Sequence, residues 1–351
     1  MDRVEQTGKI KSIAIVGSTA SGKSALALAA AKHFDGEILS VDSMQVYRTM
    51  DIGTAKPTAD EQAQVRHHLI DICDPKLPFS AADFAPQALA CAKEVASRGK
   101  LPIFCGGTGL YLDSLMRGDA PSETAADENV RAELRAFAEA NGAHALHARL
   151  AEVDAESAEQ IHENNVKRVI RALEVYLVSG KPKSAWDRES RLVPKAIEPT
   201  VIGLAYHDRE LLYARIDARV DAMLAAGLLE ETKRLDADGV FAANGTAAAA
   251  IGYKELLPAI RGEISLEEAA ETLKRATRRY AKRQMTWFLA KPYVSWIECC
   301  AEASDDSSVG GLSSAPLADL PHTRLTTVKS FEEIVNIAEK LFRKEGICDI
   351  L

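Results

Sequence analysis

Short apolar runs alternate with alanine-rich and amphipathic stretches over the first third of the chain. Ser12-Ile-Ala-Ile-Val16 is almost wholly apolar and ends at a glycine, the pattern of a strand buried on both faces. Ala25–Phe34 is alanine-rich and reads as a helix. Glu37–Val41 and Leu101–Cys105 repeat the buried-strand pattern, the second running into Gly106-Gly107. Between them, Ser80-Ala-Ala-Asp83 has the spacing of a capping box and predicts a helix to about Arg98. Strands alternating with helices predict a parallel α/β sheet. From Pro121 to about Lys183 the pattern changes. Val130–Ala140, Ala143–Ala151 and Val166–Val178 have helical periodicity with no strand between them. In the last of these, Val166, Val169, Ile170, Leu173 and Leu177 share one stripe, with Lys167, Arg168 and Arg171 beside it. Val201–Ala205 returns to strand character, Glu210–Ala226 is a helix stopped by Gly227, and Leu266–Leu289 is another long helix. Residues 301–323, rich in Ser, Asp, Gly and Pro, predict a disordered linker before a last helix capped by Ser330-Phe-Glu-Glu333 and ending near Lys344.

The chain has 351 residues, enough for two domains, or for one core with an insertion, at about 150 residues per domain. Hydrophobic residues at 47% and charged residues at 27% describe an ordinary globular chain. Lys+Arg 43 against Asp+Glu 51 leaves −8, so no overall basic field advertises nucleic acid, and any such role rests on local clusters. Met1 to Lys11 is polar and lacks the apolar run of a signal peptide, and no window approaches the ~20 apolar residues of a membrane helix. The six cysteines form no C-x-x-C pair, which predicts reduced thiols without structural zinc. These features together predict a cytoplasmic protein without membrane partners.

Gly17-x-x-x-x-Gly22-Lys23-Ser24 follows a strand and opens a helix, the context in which this spacing forms a P-loop. In such a loop the backbone N–H groups of Gly17, Ser18, Thr19, Ala20, Ser21 and Gly22 converge on a phosphate, at a helix start that adds partial positive charge. Lys23 supplies a full charge and Ser24 an oxygen for Mg²⁺. The expected fold is therefore α/β: a P-loop NTPase-like parallel sheet flanked by helices, with an all-helical insertion. Residues 1–118 and 199–300 form the core, 119–198 the insertion, and 301–351 a linker and terminal helix. An NTPase usually places an acid at the end of a second apolar strand, but Leu101–Cys105 ends in glycines. Glu37–Val41 does end in an acid, Asp42, which the ligand position of open α/β sheets puts near the P-loop. Asp42 then reads as a helix cap, as a Mg²⁺ ligand, or as a general base aimed at something the loop presents.

Nine motifs occur in order. Gly17-Ser-Thr-Ala-Ser-Gly-Lys-Ser24, Ser40-Val-Asp-Ser-Met-Gln-Val-Tyr47, Asp51-Ile-Gly-Thr-Ala-Lys-Pro57 and His68-Leu-Ile-Asp71 come first. Ser80-Ala-Ala-Asp-Phe84, Gly106-Gly-Thr-Gly-Leu-Tyr111, Arg171-Ala-Leu-Glu174, Ile251-Gly-Tyr-Lys-Glu255 and Lys282-Arg-Gln-Met-Thr-Trp287 follow. Over roughly residues 12–290 the chain resembles the tRNA dimethylallyltransferases, also called tRNA isopentenyltransferases. The resemblance implies transfer of a dimethylallyl group from dimethylallyl diphosphate to N6 of adenosine 37, beside the tRNA anticodon. The P-loop would then hold a leaving diphosphate. It also implies Asp42 as the base and Thr19, Ser24 and Arg219 as diphosphate contacts. Arg215, one turn from Arg219, joins them. Asp42, Ser43, Met44, Gln45 and Thr108 are implied around the target base.

Lys274, Arg275, Arg278, Arg279, Lys282 and Arg283 recur at helical spacing and read as one basic stripe, with only Glu271 of opposite charge within that stretch. Lys167, Arg168 and Arg171 form a second patch. Both are expected to clamp an anticodon stem-loop, because an enzyme acting on a base must take it out of its stack. Tyr111 and Tyr253 read as packing residues. The sequence departs from the family pattern at Ser18, where proline is usual, at Glu163 in His162-Glu-Asn-Asn165, and at Ala247–Ala250. Residues 299–351 carry only Cys299, Cys300 and Cys348, too few for the zinc finger of eukaryotic members. A monomer is expected. Two other readings use the same loop: an adenylate isopentenyltransferase of the cytokinin type, which has no use for the basic clamp, and a P-loop kinase or nucleotide-driven switch.

Overall fold

The computed structural model describes residues 9–117, 127–190, 195–299, 325–328 and 331–344. The first strands and helices are β1 (Ile13–Gly17), α1 (Lys23–His33), β2 (Gly36–Ser40), α2 (Ala59–Gln64), β3 (His67–His68), α3 (Ala81–Ser97), β4 (Leu101–Gly106) and α4 (Gly109–Arg117). Four helices follow without a strand: α5 (Glu128–Val153), α6 (Ala155–Gln160), α7 (Val166–Ser179) and α8 (Lys183–Ser190). Then come β5 (Thr200–Tyr206), α9 (Arg209–Ala225), α10 (Leu228–Ala237), α11 (Val240–Ala243), α12 (Gly245–Ala248) and α13 (Leu257–Ile260). The chain continues with α14 (Leu266–Leu289), β6 (Val294–Cys299), β7 (Leu325–Val328) and α15 (Phe331–Lys344).

Among the described residues the strands form a seven-stranded sheet in the order β3-β2-β4-β1-β5-β6-β7. Its pairings are parallel, with Ile15 beside Cys105 on one side and beside Ile202 on the other. β1 and β4 are buried along their whole length, which is why both read as continuous apolar runs. Leu26, Ala27, Ala30 and Ala31 of α1 pack on one face of the sheet with Ile13, Ile15, Ile38 and Ile103. A second cluster joins Tyr47 and Met50 to Val220, Leu235, Tyr253 and Leu273. Both halves of the predicted capping box form at Ser80 and Asp83. Gly227 stands at φ 100° between α9 and α10.

Two features depart from the sequence reading. β6 and β7 extend the sheet beyond β5, and α15 adds Ile334 and Ala338 to the α1 side of the core. The terminal helix is thus part of the packed core. Its proposed cap, Ser330, and the linker 301–323 lie outside the described residues. Among the described residues no helix is long and apolar enough to cross a membrane.

The chain divides into two compact units, residues 1–113 with 196–351, and residues 114–195. The second has its own core of Leu134, Leu146, Leu150, Val169 and Leu173. Gly142, at φ 85° and ψ 164°, breaks α5 between the two stretches predicted as separate helices. Glu174 is fully buried here, accepting from Arg171 at 2.8 Å, from the Asp127 N–H at 2.8 Å and pairing with Arg131 at 2.9 Å. Burial alone would raise its pKa, but these donors outweigh it and hold the carboxyl below the ordinary glutamate value. A carboxylate depressed in this way adds stability above its unfolded pKa and loses it as pH falls through the folded value. Glu174→Gln should therefore cost about 1–3 kcal/mol at neutral pH. In thermal melts followed by circular dichroism, the difference from wild type should shrink as pH falls below the ordinary glutamate range.

Candidate active site

β1 ends at the glycine-rich loop, and the carboxyl ends of β4 and β5 stand on either side of it. A cavity of about 530 Å³ opens there, lined by Thr19, Lys23 and Ser24 of the loop, by Asp42–Gln45 after β2, by Cys105 and Gly106 of β4, and by Arg219 of α9. Residues far apart in sequence thus meet because parallel strands all deliver their carboxyl ends to one edge of the sheet. Gly106 has no room for a side chain, since a Cβ there would lie 2.0 Å from the Val41 carbonyl oxygen. That close approach seats the Asp42 turn against the end of β4, where the Thr108 N–H donates to Val41 O at 3.2 Å.

Asp42 Oδ1 accepts the N–H of Met44 at 2.9 Å and that of Gln45 at 3.4 Å, so one carboxylate oxygen caps the turn that follows β2. Oδ2 has no protein hydrogen bond among the described residues. Thr108 Oγ1 accepts the Ser43 N–H at 3.0 Å. Gln45 lines the cavity, but its carboxamide is engaged: Nε2 donates to the carbonyls of Thr54 and Ala55, and Oε1 accepts from Ser40 Oγ at 2.8 Å. Lys23 Nζ donates to the Ser18 carbonyl at 3.1 Å, closing the loop on itself. Burial lowers the Lys23 pKa, the Arg219 charge works with burial, and the Asp42 carboxylate opposes them. Burial likewise pushes the Cys105 thiol up to about 11, so it stays protonated beside the lysine.

Arg215 takes a different place from the one assigned by sequence. It is absent from the cavity lining, and its Nε donates to the Ala20 carbonyl at 3.1 Å from behind the loop. Arg219, one turn later, does line the cavity.

The basic stripe also divides. Lys274 pairs with Asp221 at 2.8 Å, and Arg278 holds Asp217 with two contacts at 2.7 and 2.6 Å. The opposing acids belong to α9, which the charge pattern within α14 did not reveal. Arg275, Arg279, Lys282 and Arg283 remain exposed. Arg275, Arg279 and Arg283 line a second concavity with Lys254, and both Lys254 and Arg283 also line the main cavity. In the helical unit Arg171 is tied to Glu174, whereas Lys167 and Arg168 are exposed.

Several lining residues escaped the sequence reading. Leu273, Thr277, Tyr280 and Gln284 form the inward face of α14 and line the cavity at intervals of three and four residues. Burial, with the Asp42 charge nearby, pushes the Tyr280 phenol up to about 12. Glu231 was also missed. Its carboxylate accepts the N–H groups of Asp51, Ile52 and Gly53 at 3.2, 3.0 and 3.1 Å, together with the Tyr253 hydroxyl at 2.8 Å. This fixes the Asp51-Ile-Gly-Thr motif along the cavity wall, where a Cβ on Gly53 would stand 2.4 Å from the Tyr253 ring. Tyr253 and Tyr111 are themselves packing residues, Tyr111 stacking on Phe84 with ring centroids 4.5 Å apart.

Beyond the loop, the cavity wall turns apolar at Val220, Met223, Ala249, Ala250 and Leu273. It joins an anion cradle, an acid and an apolar compartment. The model of the IPP transferase family matches residues 45–291, and an isopentenyl transferase model matches residues 10–78. A tRNA dimethylallyltransferase of Caldanaerobacter subterraneus is 47% identical over 82% of this chain and 91% of its own length. One of Acetivibrio thermocellus is 48% identical over 86% of this chain and 95% of its own. The chain belongs to the tRNA dimethylallyltransferase family. Among solved structures, the full-length tRNA isopentenylpyrophosphate transferase of Bacillus halodurans aligns at TM-score 0.63 and 41% identity, covering 96% of this chain and 98% of that one. A eukaryotic dimethylallyltransferase described as acting on tRNA aligns at TM-score 0.69 and 30% identity, covering 82% and 73%. As a tRNA dimethylallyltransferase family member the chain is a prenyltransferase of the tRNA-modifying class. The relatives that match over most of the chain are tRNA dimethylallyltransferases, so neither the kinase nor the free-adenylate reading is favoured.

Proposed function

We propose that this enzyme transfers a dimethylallyl group from dimethylallyl diphosphate to N6 of adenosine 37, next to the tRNA anticodon, and releases diphosphate. The observation that carries the reading is one cavity in which Lys23 and Arg219 face Asp42, with apolar walls beyond them. The allylic C–O bond breaks as an N–C bond forms, and negative charge collects on the departing diphosphate. Lys23, Arg219 and the loop N–H groups of Gly22 to Ser24 stabilise that charge, where preorganised donors contribute most. The adenine amine is a weak nucleophile because its lone pair is delocalised into the ring. Asp42 takes its proton, help of about 10²–10⁴-fold. Val220, Met223 and Leu273 give the five-carbon group an apolar seat and keep water from the allylic centre.

The Ser24 hydroxyl lines the cavity beside Lys23, a hard-oxygen donor that fits Mg²⁺ together with diphosphate oxygens. When bound there, Mg²⁺ would offset part of the diphosphate charge. Ser43 lines the cavity and Thr108, which is not in its lining, accepts the Ser43 N–H; in this reading the pair serves the target base. Arg275, Arg279, Arg283 and Lys254 supply phosphate contacts on the core unit, and Lys167 and Arg168 supply them on the helical unit. Action on tRNA puts the protein in the cytoplasm, and we take it to work as a monomer.

Two assays test this. Purified protein given labelled dimethylallyl diphosphate should label unmodified tRNA and leave AMP unlabelled; label passing only to AMP, or rapid ATP hydrolysis insensitive to dimethylallyl diphosphate, would refute it. Replacing Arg275, Arg279 and Arg283 by Gln together should weaken tRNA binding and flatten the log K against log salt slope by about 2–3. The paired Arg278 should contribute little to that slope; a triple variant with an unchanged slope would take this concavity out of the interface.

A further inference from the structure

The glycine-rich loop contains a left-handed residue that is not glycine. Ala20 stands at φ 60°, a conformation unfavourable for an L-residue, which persists only where its surroundings hold it. Two side chains from distant helices do so. Gln284 of α14 is 5% exposed, and its Oε1 accepts the Thr19 N–H at 2.8 Å while its Nε2 donates to the Gly107 carbonyl at 3.0 Å. Arg215 of α9 donates through Nε to the Ala20 carbonyl at 3.1 Å. The turn is therefore gripped one residue ahead of Ala20 and again at its own carbonyl. Gly107 makes the first grip possible, since a Cβ there would lie 2.0 Å from Gln284 Nε2. The two helices that carry the grips are joined by the Arg278–Asp217 and Lys274–Asp221 pairs.

We propose that Gln284 and Arg215 are positioning residues for the diphosphate: by holding the strained turn at Ala20 they set the direction of the later N–H groups and of Lys23. This rests on the reading of the loop as a diphosphate cradle. Released from the two grips, Ala20 relaxes toward negative φ and the donors no longer converge on one anion. Asp42 stands on a different strand, so ground-state binding suffers more than proton transfer.

Gln284→Met keeps the volume and removes both hydrogen bonds. It should weaken binding of inorganic diphosphate in Mg²⁺ buffer, measured by calorimetry, about tenfold, the scale of one or two lost hydrogen bonds. KM for dimethylallyl diphosphate should rise similarly, with kcat falling by less. Glycine takes positive φ about as readily as negative. In an Ala20→Gly background the same Gln284→Met change should therefore cost about threefold or less, a coupling that loss of packing alone would not produce. Arg215→Met in the two backgrounds gives an independent cycle should Gln284→Met lower the melting temperature enough to cloud the first. Diphosphate bound as tightly by Gln284→Met as by wild type, or an equal loss in both backgrounds, overturns the inference while leaving tRNA prenylation intact. A wild type that binds no diphosphate would instead bring down the cradle reading on which it rests.

Discussion

Asp42→Asn is expected to lower prenyl transfer by about 10²–10⁴-fold while diphosphate affinity changes by no more than a few-fold. Asparagine is the informative replacement because of the geometry around Oδ1. That oxygen accepts the Met44 and Gln45 N–H groups, so alanine would release the turn as well as remove the base. The amide oxygen of asparagine still accepts those N–H groups, and only proton-accepting power is lost. Single-turnover transfer from labelled dimethylallyl diphosphate to unmodified tRNA measures the chemical step. Near-normal turnover would reduce Asp42 to the turn cap that its Oδ1 contacts already describe.

Lys23→Met is expected to weaken diphosphate binding and slow transfer by about 10²–10³-fold, because the ammonium is the full charge inside the cradle. That ammonium donates to the Ser18 carbonyl, a partner a diphosphate oxygen can replace. A pH dependence follows. Burial holds the Lys23 pKa below the ordinary lysine value, and the anion binds the protonated form. Diphosphate affinity should thus decline as pH rises through the Lys23 pKa, beginning below the pH at which an exposed lysine titrates. The Lys23→Met variant should lack that alkaline limb. Calorimetric titration with inorganic diphosphate across neutral to alkaline pH would reveal it, and a limb retained in the variant would assign the titration to another group.

The sheet was legible where its strands are buried on both faces. Ser12–Val16, Glu37–Val41 and Leu101–Cys105 predicted β1, β2 and β4 to within a residue at their ends. β6, Val294-Ser-Trp-Ile-Glu-Cys299, was not read as a strand from the sequence. Glu298 is tolerated at this depth with His207 Nδ1 3.0 Å from its carboxylate. β7 has four residues, too few to declare themselves, and becomes a strand by pairing with β6. The long helix α14 was read with its correct ends but with one mistaken face. Lys274 and Arg278 looked like binding cations until α9 supplied Asp221 and Asp217.

What the amino-acid sequence determined by itself is local: the strand–loop–helix of the phosphate cradle, the acid that closes β2, the capping box at Ser80, and an ordered set of motifs sufficient to recognise the family. These need only neighbours along the chain, since a glycine's freedom, a helix cap and a buried strand's composition are decided within a few residues. What only the tertiary structure decided is which side chains are left free to act. Arg215 and Arg219 lie one turn apart on the same helix, yet one braces the loop from behind and the other lines the cavity. Gln284 reaches a backbone N–H 265 residues earlier, and no spacing rule within a helix foretells that partner. A polar side chain's role is set by which donor, acceptor or charge the fold brings within about 3 Å of it, and that is a property of packing between distant segments.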